Sequence, residues 1–392
     1  MRQARQIEVA KRIFGYIDAN GTAMADALYR NDVSTYTDPL QTRQEIDELF
    51  GGWPLHIALS CELPEPGDYL TLDHLAVPVL LTRNREGDVR AFMNVCRHRG
   101  AKVADGSGTG RKVFTCPYHA WSYDLDGALK AVPFDHAFAG CDKADMALRP
   151  LPVQEKYGMI WVRTAPDADF EIDQALKGTE DDLAHLGIAD YHHYETRTLR
   201  VGMNWKLVID TFLESYHINV LHKNSIAPII RNNRSSVDKF GENFLALYPR
   251  WSIDEMRDQP EQDWDLIKHS VMIYVLFPNT VFVVQGDHLE TWRVYPENGD
   301  TERAVMDVGF YIPEPATTES ARRHWDRNMD LLMKTVLEED FPLGEGIQRG
   351  FHSGAQDHIT FGRNEPALHY FHQAIKQSLG RADRNSPVVE AA

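Results

Sequence analysis

Residues 96–119 read CRHRGAKVADGSGTGRKVFTCPYH and hold two closely spaced pairs of cysteine and histidine. Cys96 and His98 form the first pair, and Cys116 and His119 form the second. A zinc finger normally groups its two cysteines before its two histidines. The order Cys-His, Cys-His instead suits two loops that close on a [2Fe–2S] cluster from opposite sides, so that both cysteines bind one iron and both histidines the other. The stretch therefore predicts such a cluster, with a zinc site or a chance spacing as the alternatives.

Short segments with strand-like composition surround this motif and are separated by turn sequences. The predicted strands are 76–81, 90–94, 113–116, 121–123 and 159–162. Each cysteine–histidine pair belongs to a loop that follows a predicted strand. The sequence thus predicts a small antiparallel β domain that spans about 53–165.

The regions on either side of this domain have helical and mixed patterns. Apolar residues recur at helical spacing within 1–52, which is expected to pack on a second domain, 166–392. The predicted N-terminal helices are 7–17, 23–29 and 38–50. The predicted elements of the second domain are strands 271–276, 281–285, 290–295 and 305–312 and helices 319–339 and 365–379. The tail, 383–392, is predicted to fray.

Composition and charge limit what the chain can do. With 392 residues, 43% of them hydrophobic and 25% charged, the chain is long enough for two globular domains. A net charge of −17 argues against binding to nucleic acid or to an anionic membrane surface. Four cysteines are too few for a disulfide scaffold, no apolar run is long enough to span a membrane, and the first residues lack the apolar core of a signal peptide. A cytoplasmic location is therefore expected.

A second stretch, 210–222, reads DTFLESYHINVLH and places two carboxylates and two imidazoles among apolar residues. On a helix, Asp210, Glu214 and His217 share one face. Acids and histidines on a buried face are costly unless a partner or a metal compensates them. His222 lies about 140° further round an ideal helix than His217, so the helix must end or loosen between them for both rings to reach one atom. The stretch suggests a metal site.

Together, the sequences CRHRG, CPYHAWSY and DTFLESYHINVLH resemble the motifs of the α (terminal oxygenase) subunits of Rieske non-haem iron oxygenases. The resemblance extends from about residue 53 to residue 379. It implies an α+β chain with N-terminal helices, a small antiparallel Rieske [2Fe–2S] domain, and a helix-grip catalytic domain in which an antiparallel sheet wraps around a helix. It also implies a mononuclear Fe(II) in the catalytic domain, because the cluster carries one electron at a time and O₂ requires a second centre.

The resemblance assigns roles within the second stretch. His217 and His222 have the family's ligand spacing and are the predicted histidine ligands of the iron. Glu214 stands where many members have aspartate, and a subset that includes amine monooxygenases has glutamate there. The family role of this carboxylate is to bridge the ligand histidine to a cluster histidine of a neighbouring subunit, here His119, and to fix the imidazole tautomer. Asp210 either hydrogen-bonds near the iron or supports the helix.

The usual ligand set of such an iron is two histidines and one carboxylate. The apolar stripe of the predicted helix 319–339 directs Asp340 toward the core, leaves Glu339 at the flank and turns Glu338 away. Because the family's third ligand is an acid in this C-terminal region, Asp340 is the predicted ligand. Two more distant alternatives are Glu345 and Asp357.

The predicted activity is oxidation of a small organic substrate with O₂ and electrons delivered by the cluster. The chain has neither a dinucleotide-binding fingerprint nor a ferredoxin-type cysteine run, so a separate reductase or ferredoxin must refill the cluster. The resemblance implies a homotrimer or a multiple of it, in which a neighbour's cluster serves each iron. The predicted pocket residues are Ile226, Ile229, Ile230, Phe282 and His288.

Hydroxylation or demethylation is favoured over cis-dihydroxylation of an aromatic ring. The chain is shorter than typical dihydroxylating α subunits, and Glu214 is typical of the amine-type subset. An electron-transfer protein without catalysis is the alternative of another class, and it predicts two irons per subunit where the oxygenase predicts three.

Overall fold

The computed structural model describes residues 1–166 and 169–380, which divide into two compact units. The small unit comprises Ile46–Ala175 and Ile188–Asp190, and the large unit comprises Met1–Glu45, Leu176–Gly187 and the chain from Tyr191 onward. The predicted domain boundaries near 53 and 165 lie inside the small unit and stay a prediction, because compactness alone does not test independent folding. The tail that is predicted to fray, 383–392, lies outside the described residues.

Strands and helices follow one another along the chain with short connections. In chain order the strands are β1 (Tyr29–Asp32), β2 (Leu55–Leu59), β3 (Tyr69–Leu72), β4 (Val79–Arg83), β5 (Val89–Met93), β6 (Ser107–Gly108), β7 (Phe114–Thr115), β8 (Ser122–Tyr123), β9 (Leu129–Ala131), β10 (Pro150–Leu151), β11 (Val153–Lys156), β12 (Met159–Val162), β13 (His192–Val201), β14 (Ser236–Phe240), β15 (Asn243–Pro249), β16 (Ser270–Leu276), β17 (Thr280–Val284), β18 (Leu289–Pro296), β19 (Ala304–Ile312) and β20 (His358–Phe361). The α-helices are α1 (Gln3–Asp18), α2 (Ser34–Thr37), α3 (Pro39–Glu45), α4 (Ile172–Leu176), α5 (Glu180–Ala184), α6 (Trp205–Asp210), α7 (Ile218–Leu221), α8 (Glu319–Thr335), α9 (Phe341–Phe351) and α10 (Pro366–Ser378).

The small unit is an antiparallel β structure. Its three sheets have the strand orders β10-β5-β4-β3-β6, β11-β12-β2 and β7-β8-β9. The buried side chains around the cysteine–histidine motif include Tyr69, Leu80, Phe92, Phe114, Trp121, Tyr123, Cys96 and Cys116. The prediction of a small antiparallel β domain is confirmed, and both motif cysteines belong to its core.

The large unit is built on a seven-stranded antiparallel sheet of order β13-β19-β18-β17-β16-β15-β14. Every residue of β15 to β19 is buried. Nearly continuous apolar runs such as VMIYVL in β16 allow this, because strands covered on both faces need apolar residues at successive positions. α6 packs against β18 and β19, while α10 packs against β14 and β15. The predicted α+β helix-grip fold is confirmed, and no helix in the described ranges is long and apolar enough to cross a membrane.

The predicted helix 23–29 is wrong. Residues 21–25 have no helical structure, and Tyr29–Asp32 is strand β1, which pairs antiparallel with β20. The ring of Tyr29 stacks on Phe361 of β20 with centroids 6.1 Å apart, and Asn31 is fully buried. These tertiary contacts outweigh the weak helical preference of the segment. The other two N-terminal helices are present, the second as α3 followed by a π-helical turn, Ile46–Phe50.

The C-terminal helical region differs from the prediction of one helix over 319–339. α8 ends at Thr335, a π-helical turn covers Val336–Asp340, and α9 then continues to Phe351. The helix propensity of α9 is low because it contains three glycines, Gly344, Gly346 and Gly350. Sequence analysis based on propensity therefore does not predict this helix. Met203 lies against Gly344, where a side chain would collide with its sulfur, so close packing explains that glycine.

Candidate metal centres

The two cysteine–histidine loops of the small unit have the same turn. The N–H of Gly100 donates to the carbonyl of Cys96 at 2.9 Å, and the N–H of Ala120 donates to the carbonyl of Cys116 at 3.0 Å. Both donors are in the left-handed region, with φ of 81° at Gly100 and 56° at Ala120. Glycine adopts this conformation without a steric penalty, whereas Ala120 is held there by the loop.

The four side chains of these loops converge in two pairs. Nδ1 of His98 lies 3.1 Å from Nδ1 of His119, and the ring of His98 stacks on Trp121 at 4.9 Å between centroids. Cys96 and Cys116 are 3% and 2% exposed. Burial and the neighbouring Cys96 raise the pKa of the Cys116 thiol, so two thiolates here require a compensating cation. This arrangement fits both histidines on one iron and both cysteines on another.

In the large unit, the stretch 210–222 is not one helix, and the predicted shared face of Asp210, Glu214 and His217 is wrong. α6 ends at Asp210, and residues 211–217 form turns. His217 and His222 flank the one-turn helix α7 as its first and last cap residues. The predicted loosening between the two histidines is wrong in its position: the helix breaks before His217, and the one-turn helix α7 lies between His217 and His222.

Three side chains meet at this point. Nε2 of His217 lies 3.1 Å from Nε2 of His222. Oδ1 of Asp340 lies 3.1 Å from Nε2 of His222 and 3.7 Å from Nε2 of His217. All three ligand atoms lie within 4.8 Å of one another, as one metal ion requires. As the apolar stripe predicts, Asp340 is buried while Glu338 is exposed.

The outer nitrogens of both rings are occupied by carboxylates. Oε1 of Glu214 contacts Nδ1 of His217, and Oε2 of Glu339 lies 2.5 Å from Nδ1 of His222. A carboxylate only accepts, so Nδ1 carries the proton in each ring and the two Nε2 atoms present lone pairs to each other and to Asp340. Such a group of electron pairs is stable only around a cation. The residues therefore fit a mononuclear metal, and the two-histidine, one-carboxylate set is the one that non-haem Fe(II) uses.

The electrostatics of His222 agree with a cation site. Burial lowers the pKa of His222, but Asp340 and Glu339 outweigh it and raise that pKa above its usual value. The two carboxylates thus favour a positive charge at this imidazole, which a bound metal would supply.

Glu339 is a site residue that sequence reasoning missed. Its carboxylate accepts a hydrogen bond from Oγ of Ser225 at 2.6 Å in addition to the contact with His222. The available signal was its position at the flank of the apolar stripe, next to Asp340, but a flank position alone does not separate a surface acid from one that orients a histidine.

Asp210 lies in a separate buried network. Its carboxylate accepts from the hydroxyl of Tyr36 at 2.6 Å and lies 2.9 Å from Nε2 of His372. Asn31 donates to the Tyr36 hydroxyl at 3.1 Å and lies 3.3 Å from Nδ1 of His372. The structure thus joins the end of α6 to β1, α2 and α10 through Asp210.

The two alternative carboxylates have other partners. Glu345 accepts from the N–H of Gly202 at 2.8 Å, and Asp357 lies 2.5 Å from Nδ1 of His358 on the surface. Neither belongs to the group of potential metal ligands found within the described residues.

Two cavities of the large unit are lined by candidate site residues. One of about 360 Å³ is lined by Glu214, His217 and Asp340 together with apolar side chains such as Leu343 and Ile347. The other, of about 200 Å³, is lined by four of the five predicted pocket residues: Ile226, Ile229, Ile230 and His288. Phe282, the fifth, is fully buried in the sheet.

Two protein families match the chain. The Rieske [2Fe-2S] domain family matches residues 54–150, and the ring hydroxylating alpha subunit (catalytic domain) family matches residues 188–381. The first match contains both cysteine–histidine loops, and the second contains the histidine pair and Asp340.

Similar proteins extend these matches. The chain is 25% identical over 366 residues to the carnitine monooxygenase oxygenase subunit of Escherichia coli (strain K12), which covers 87% of this chain and 91% of that one. It is 33% identical over 201 residues to the biphenyl 2,3-dioxygenase subunit alpha of Rhodococcus jostii (strain RHA1), covering 48% and 42%. A crystal structure of a quaternary ammonium Rieske monooxygenase with its substrate L-carnitine has the same fold, with a TM-score of 0.77 at 22% identity over 90% of this chain and 96% of that one.

Proposed function

Because the chain belongs to the α (terminal oxygenase) subunits of the Rieske non-haem iron oxygenases, we propose that it adds one oxygen atom of O₂ to a small organic substrate. As an oxidoreductase of this family it works with a Rieske [2Fe–2S] cluster, a mononuclear iron and an electron-transfer partner. Each turnover combines a substrate C–H bond, O₂, two electrons and two protons, and yields a hydroxylated product and water. Hydroxylation of a methyl group on nitrogen or oxygen leads to demethylation.

The proposed ligands follow the geometry of the two centres. Cys96, His98, Cys116 and His119 hold the cluster, and His217, His222 and Asp340 hold the iron. The observation that carries the proposal is the meeting of the Nε2 atoms of two histidines and one carboxylate oxygen within 4.8 Å. The iron, when bound, supplies the site at which O₂ is activated. Glu214 and Glu339 keep the protons on the outer nitrogens, so that both rings present Nε2 to the metal.

Glu214 is also the proposed link to a cluster in a neighbouring subunit of a homotrimer or a multiple of it. It lines the larger cavity, whose rim includes Leu343 and Ile347, 54% and 45% exposed. Exposed apolar side chains at a cavity rim favour a surface that a partner covers. In the small unit, His119 is half-exposed beside the exposed ring of Tyr118, 3.8 Å away between centroids, which leaves His119 accessible to a partner. Asp210, four residues before Glu214, is proposed to hold the end of α6 in place.

Monooxygenation is the first choice because the similarity to carnitine monooxygenase extends over most of both chains. Methylated ammonium compounds are therefore the first substrate class to test. Dihydroxylation of an aromatic ring is the second candidate, since the similarity to the biphenyl dioxygenase subunit is higher in identity but covers less than half of the chain. The proposed location is the cytoplasm, in agreement with the few cysteines.

The test is a substrate screen with the reconstituted protein. The chain loaded with cluster and iron, a generic Rieske reductase and NADH are incubated with methylated ammonium compounds and with aromatic hydrocarbons. We expect oxygen uptake coupled to product, with a single labelled oxygen in the product when ¹⁸O₂ is used. Two labelled oxygens in one product molecule favour dihydroxylation instead. Two irons per subunit and no coupled product contradict an oxygenase and favour the electron-transfer alternative.

A further inference from the structure

The cavity of about 200 Å³ has an apolar side and a charged end. Its apolar side is formed by Ile226, Ile229, Ile230, Leu331 and Leu332. Its charged end is formed by Arg250, Gln285, Asp287, His288 and Glu290. A cavity with this division suits a small molecule that has an apolar body and one charged group.

The two acids of the charged end are already paired with His288. Nδ1 of His288 lies 2.7 Å from Asp287, and its Nε2 lies 3.2 Å from Glu290. Glu290 is 3% exposed and also accepts from Nε1 of Trp292 at 3.1 Å. His288 and its two carboxylates thus form a closed group whose hydrogen-bonding capacity is largely used within the protein.

Arg250 is the charged residue whose partners are neutral. Its Nε donates to the carbonyl of Ser270 at 3.3 Å, and its Nη2 donates to Oε1 of Gln285 at 2.7 Å. Among the described residues, no carboxylate lies within ion-pair distance of its guanidinium group; Asp287 acts on it only from further away. Burial lowers the pKa of Arg250. A half-buried cation that faces a cavity with unused N–H groups is stabilised by an anion in that cavity.

Gln285 holds the guanidinium group in a defined orientation. Its Nε2 donates to Glu290 at 3.3 Å, which leaves Oε1 to accept from Arg250. With Nε and Nη2 held in this way, Nη1 and the second N–H of Nη2 remain for a ligand. Two parallel N–H groups of a guanidinium match the two oxygens of a carboxylate.

Two lining segments of the cavity are close in sequence to the proposed iron ligands. The N–H of Ile226 donates to the carbonyl of His222 at 3.1 Å, so this wall begins one turn after a ligand. Thr335, on the opposite wall, lies four residues before Glu339 and five before Asp340, about one helical turn away. A molecule held at Arg250 can therefore extend along the apolar side toward the iron.

We propose that Arg250, oriented by Gln285, binds a carboxylate of the substrate, so that the enzyme selects small carboxylic acids or zwitterions whose opposite, apolar or methylated end faces the iron. This specificity rests on the proposed function, since it names the class of molecule that the same site oxidises. Arg250 is a binding residue here; Gln285 is a positioning residue that acts through it.

The test compares matched probes on the iron-loaded holoenzyme. One probe is 4-(trimethylammonio)butanoate and the other is the corresponding alcohol, which has the same length but no anion. We expect the carboxylate to bind more tightly by isothermal titration calorimetry. Arg250→Met should weaken its binding by about 10- to 100-fold, the range for a lost charge-assisted hydrogen bond, and leave the alcohol unaffected. Arg250→Lys keeps the positive charge but lacks the two parallel N–H groups of the guanidinium, so it should lose part of that affinity.

Controls separate this specificity from misfolding and from failure of the proposed function. Arg257→Gln is the matched surface control, because Arg257 pairs with Asp18 and Asp254 outside the cavity. Equal binding of carboxylate and alcohol, or unchanged carboxylate affinity in folded Arg250→Met and Arg250→Lys, overturns the assignment. A third outcome is that only substrates without an anion are oxidised, and that Arg250→Met oxidises them with the wild-type KM. In that case the proposed specificity for carboxylates is wrong, but the oxygenase function stands. If carboxylates bind through Arg250 but no compound is oxidised, the proposed function fails instead.

Discussion

Oε2 of Glu339 lies 2.5 Å from Nδ1 of His222, while Oδ1 of the next residue, Asp340, lies 3.1 Å from Nε2 of the same ring. Successive residues of an α-helix point about 100° apart, yet these two carboxylates reach opposite sides of one imidazole. Both residues belong to the π-helical turn Val336–Asp340. Such turns change the direction of side chains locally and occur often at functional sites. Two neighbouring acids thus act as proposed ligand and as orienting partner.

Glu339→Gln should weaken binding of the mononuclear metal by about 10- to 100-fold, the usual cost of losing a partner that orients a metal-bound histidine. Glutamine keeps the size of the side chain but removes the charge that holds the proton on Nδ1. Titration of the metal-free centre with Fe(II) measures the effect, and the cluster absorbance should not change. Glu338→Gln is the control, since Glu338 is exposed. Equal affinities in the two variants would show that Glu339 does not orient His222.

Asp340→Ala should abolish turnover and lower the iron content from three to two per subunit, because the two histidines alone do not complete the ligand set. Metal analysis and the visible absorption of the cluster are the measurements, and the cluster should remain. Asp357→Ala is the control: this acid is a sequence-level alternative, but its side chain is 93% exposed beside His358. Retention of three irons by Asp340→Ala would contradict the ligand assignment.

The direction of Asp340 follows from the sequence because the stripe Trp325, Met329, Met333 and Val336 defines a buried face that the helix keeps until its end. Hydrophobic periodicity reports burial, and burial is what distinguishes Asp340 from Glu338. The same reasoning locates nine of the twenty strands in the described residues, among them β16 to β19, since these are short apolar runs between turn residues; it does not locate β13, β14 and β15 of the large sheet.

The geometry around the ligands does not follow from periodicity. A break after Asp210 depends on Tyr36 and His372, which are distant in sequence and hold the carboxylate at the end of α6. Sequence analysis assigns Glu339 to the flank of the apolar stripe by assuming a rotation of about 100° per residue. The π-helical turn before α9 does not follow that rotation. Both features result from tertiary contacts, which local sequence patterns do not encode.

Glu214→Gln should slow electron transfer to the iron while both metals stay bound. The amide can still contact Nδ1 of His217, but without its charge it is a weaker link to a second histidine. Single-turnover oxidation of the reduced cluster with O₂ and substrate measures the rate, and we expect a loss of at least about tenfold.

Glu365→Gln provides the matched control, because Glu365 lines the same cavity. The carboxylate of Glu365 accepts from the N–H of Gly362, so Glu365→Gln removes a carboxylate from the cavity while the contact between Glu214 and His217 stays in place. Wild-type single-turnover rates in Glu214→Gln would contradict the bridging role. Equal slowing in both variants would indicate a general effect of cavity charge instead.

Glu45→Gln should destabilise the large unit by about 3–5 kcal/mol, because it removes the carboxylate that contacts the buried ammonium group of Lys206. Both side chains are fully buried, and Nζ lies 2.7 Å from each oxygen of Glu45, which also accepts from Nε1 of Trp205 at 2.8 Å. Chemical denaturation measures the free energy of unfolding. The pair Glu45→Gln with Lys206→Met should lose less than Glu45→Gln alone.

An exposed ion pair is the control for this effect. Arg323 lies 2.8 Å from Glu319 on the surface of α8, and Arg323→Gln should change stability by less than about 1 kcal/mol. If Glu45→Gln costs no more than Arg323→Gln, the buried pair does not anchor the start of α6.

His288→Gln should remove a contribution to stability that depends on pH. Burial lowers the pKa of His288, but Asp287 and Glu290 outweigh it and raise that pKa from 6.5 to about 9; Arg250 and His324 are the other titratable groups nearby. The contribution, about 3 kcal/mol, is complete below pH 6.5 and is lost as the pH rises through about 9. The thermal midpoint of the wild type should therefore exceed that of the variant most at low pH, and the two should converge above about pH 9.

His352→Gln is a surface control beside Glu302, and its thermal midpoint should change with pH in the same way as that of the wild type. A constant gap between wild type and His288→Gln would show that packing, not charge, stabilises this position.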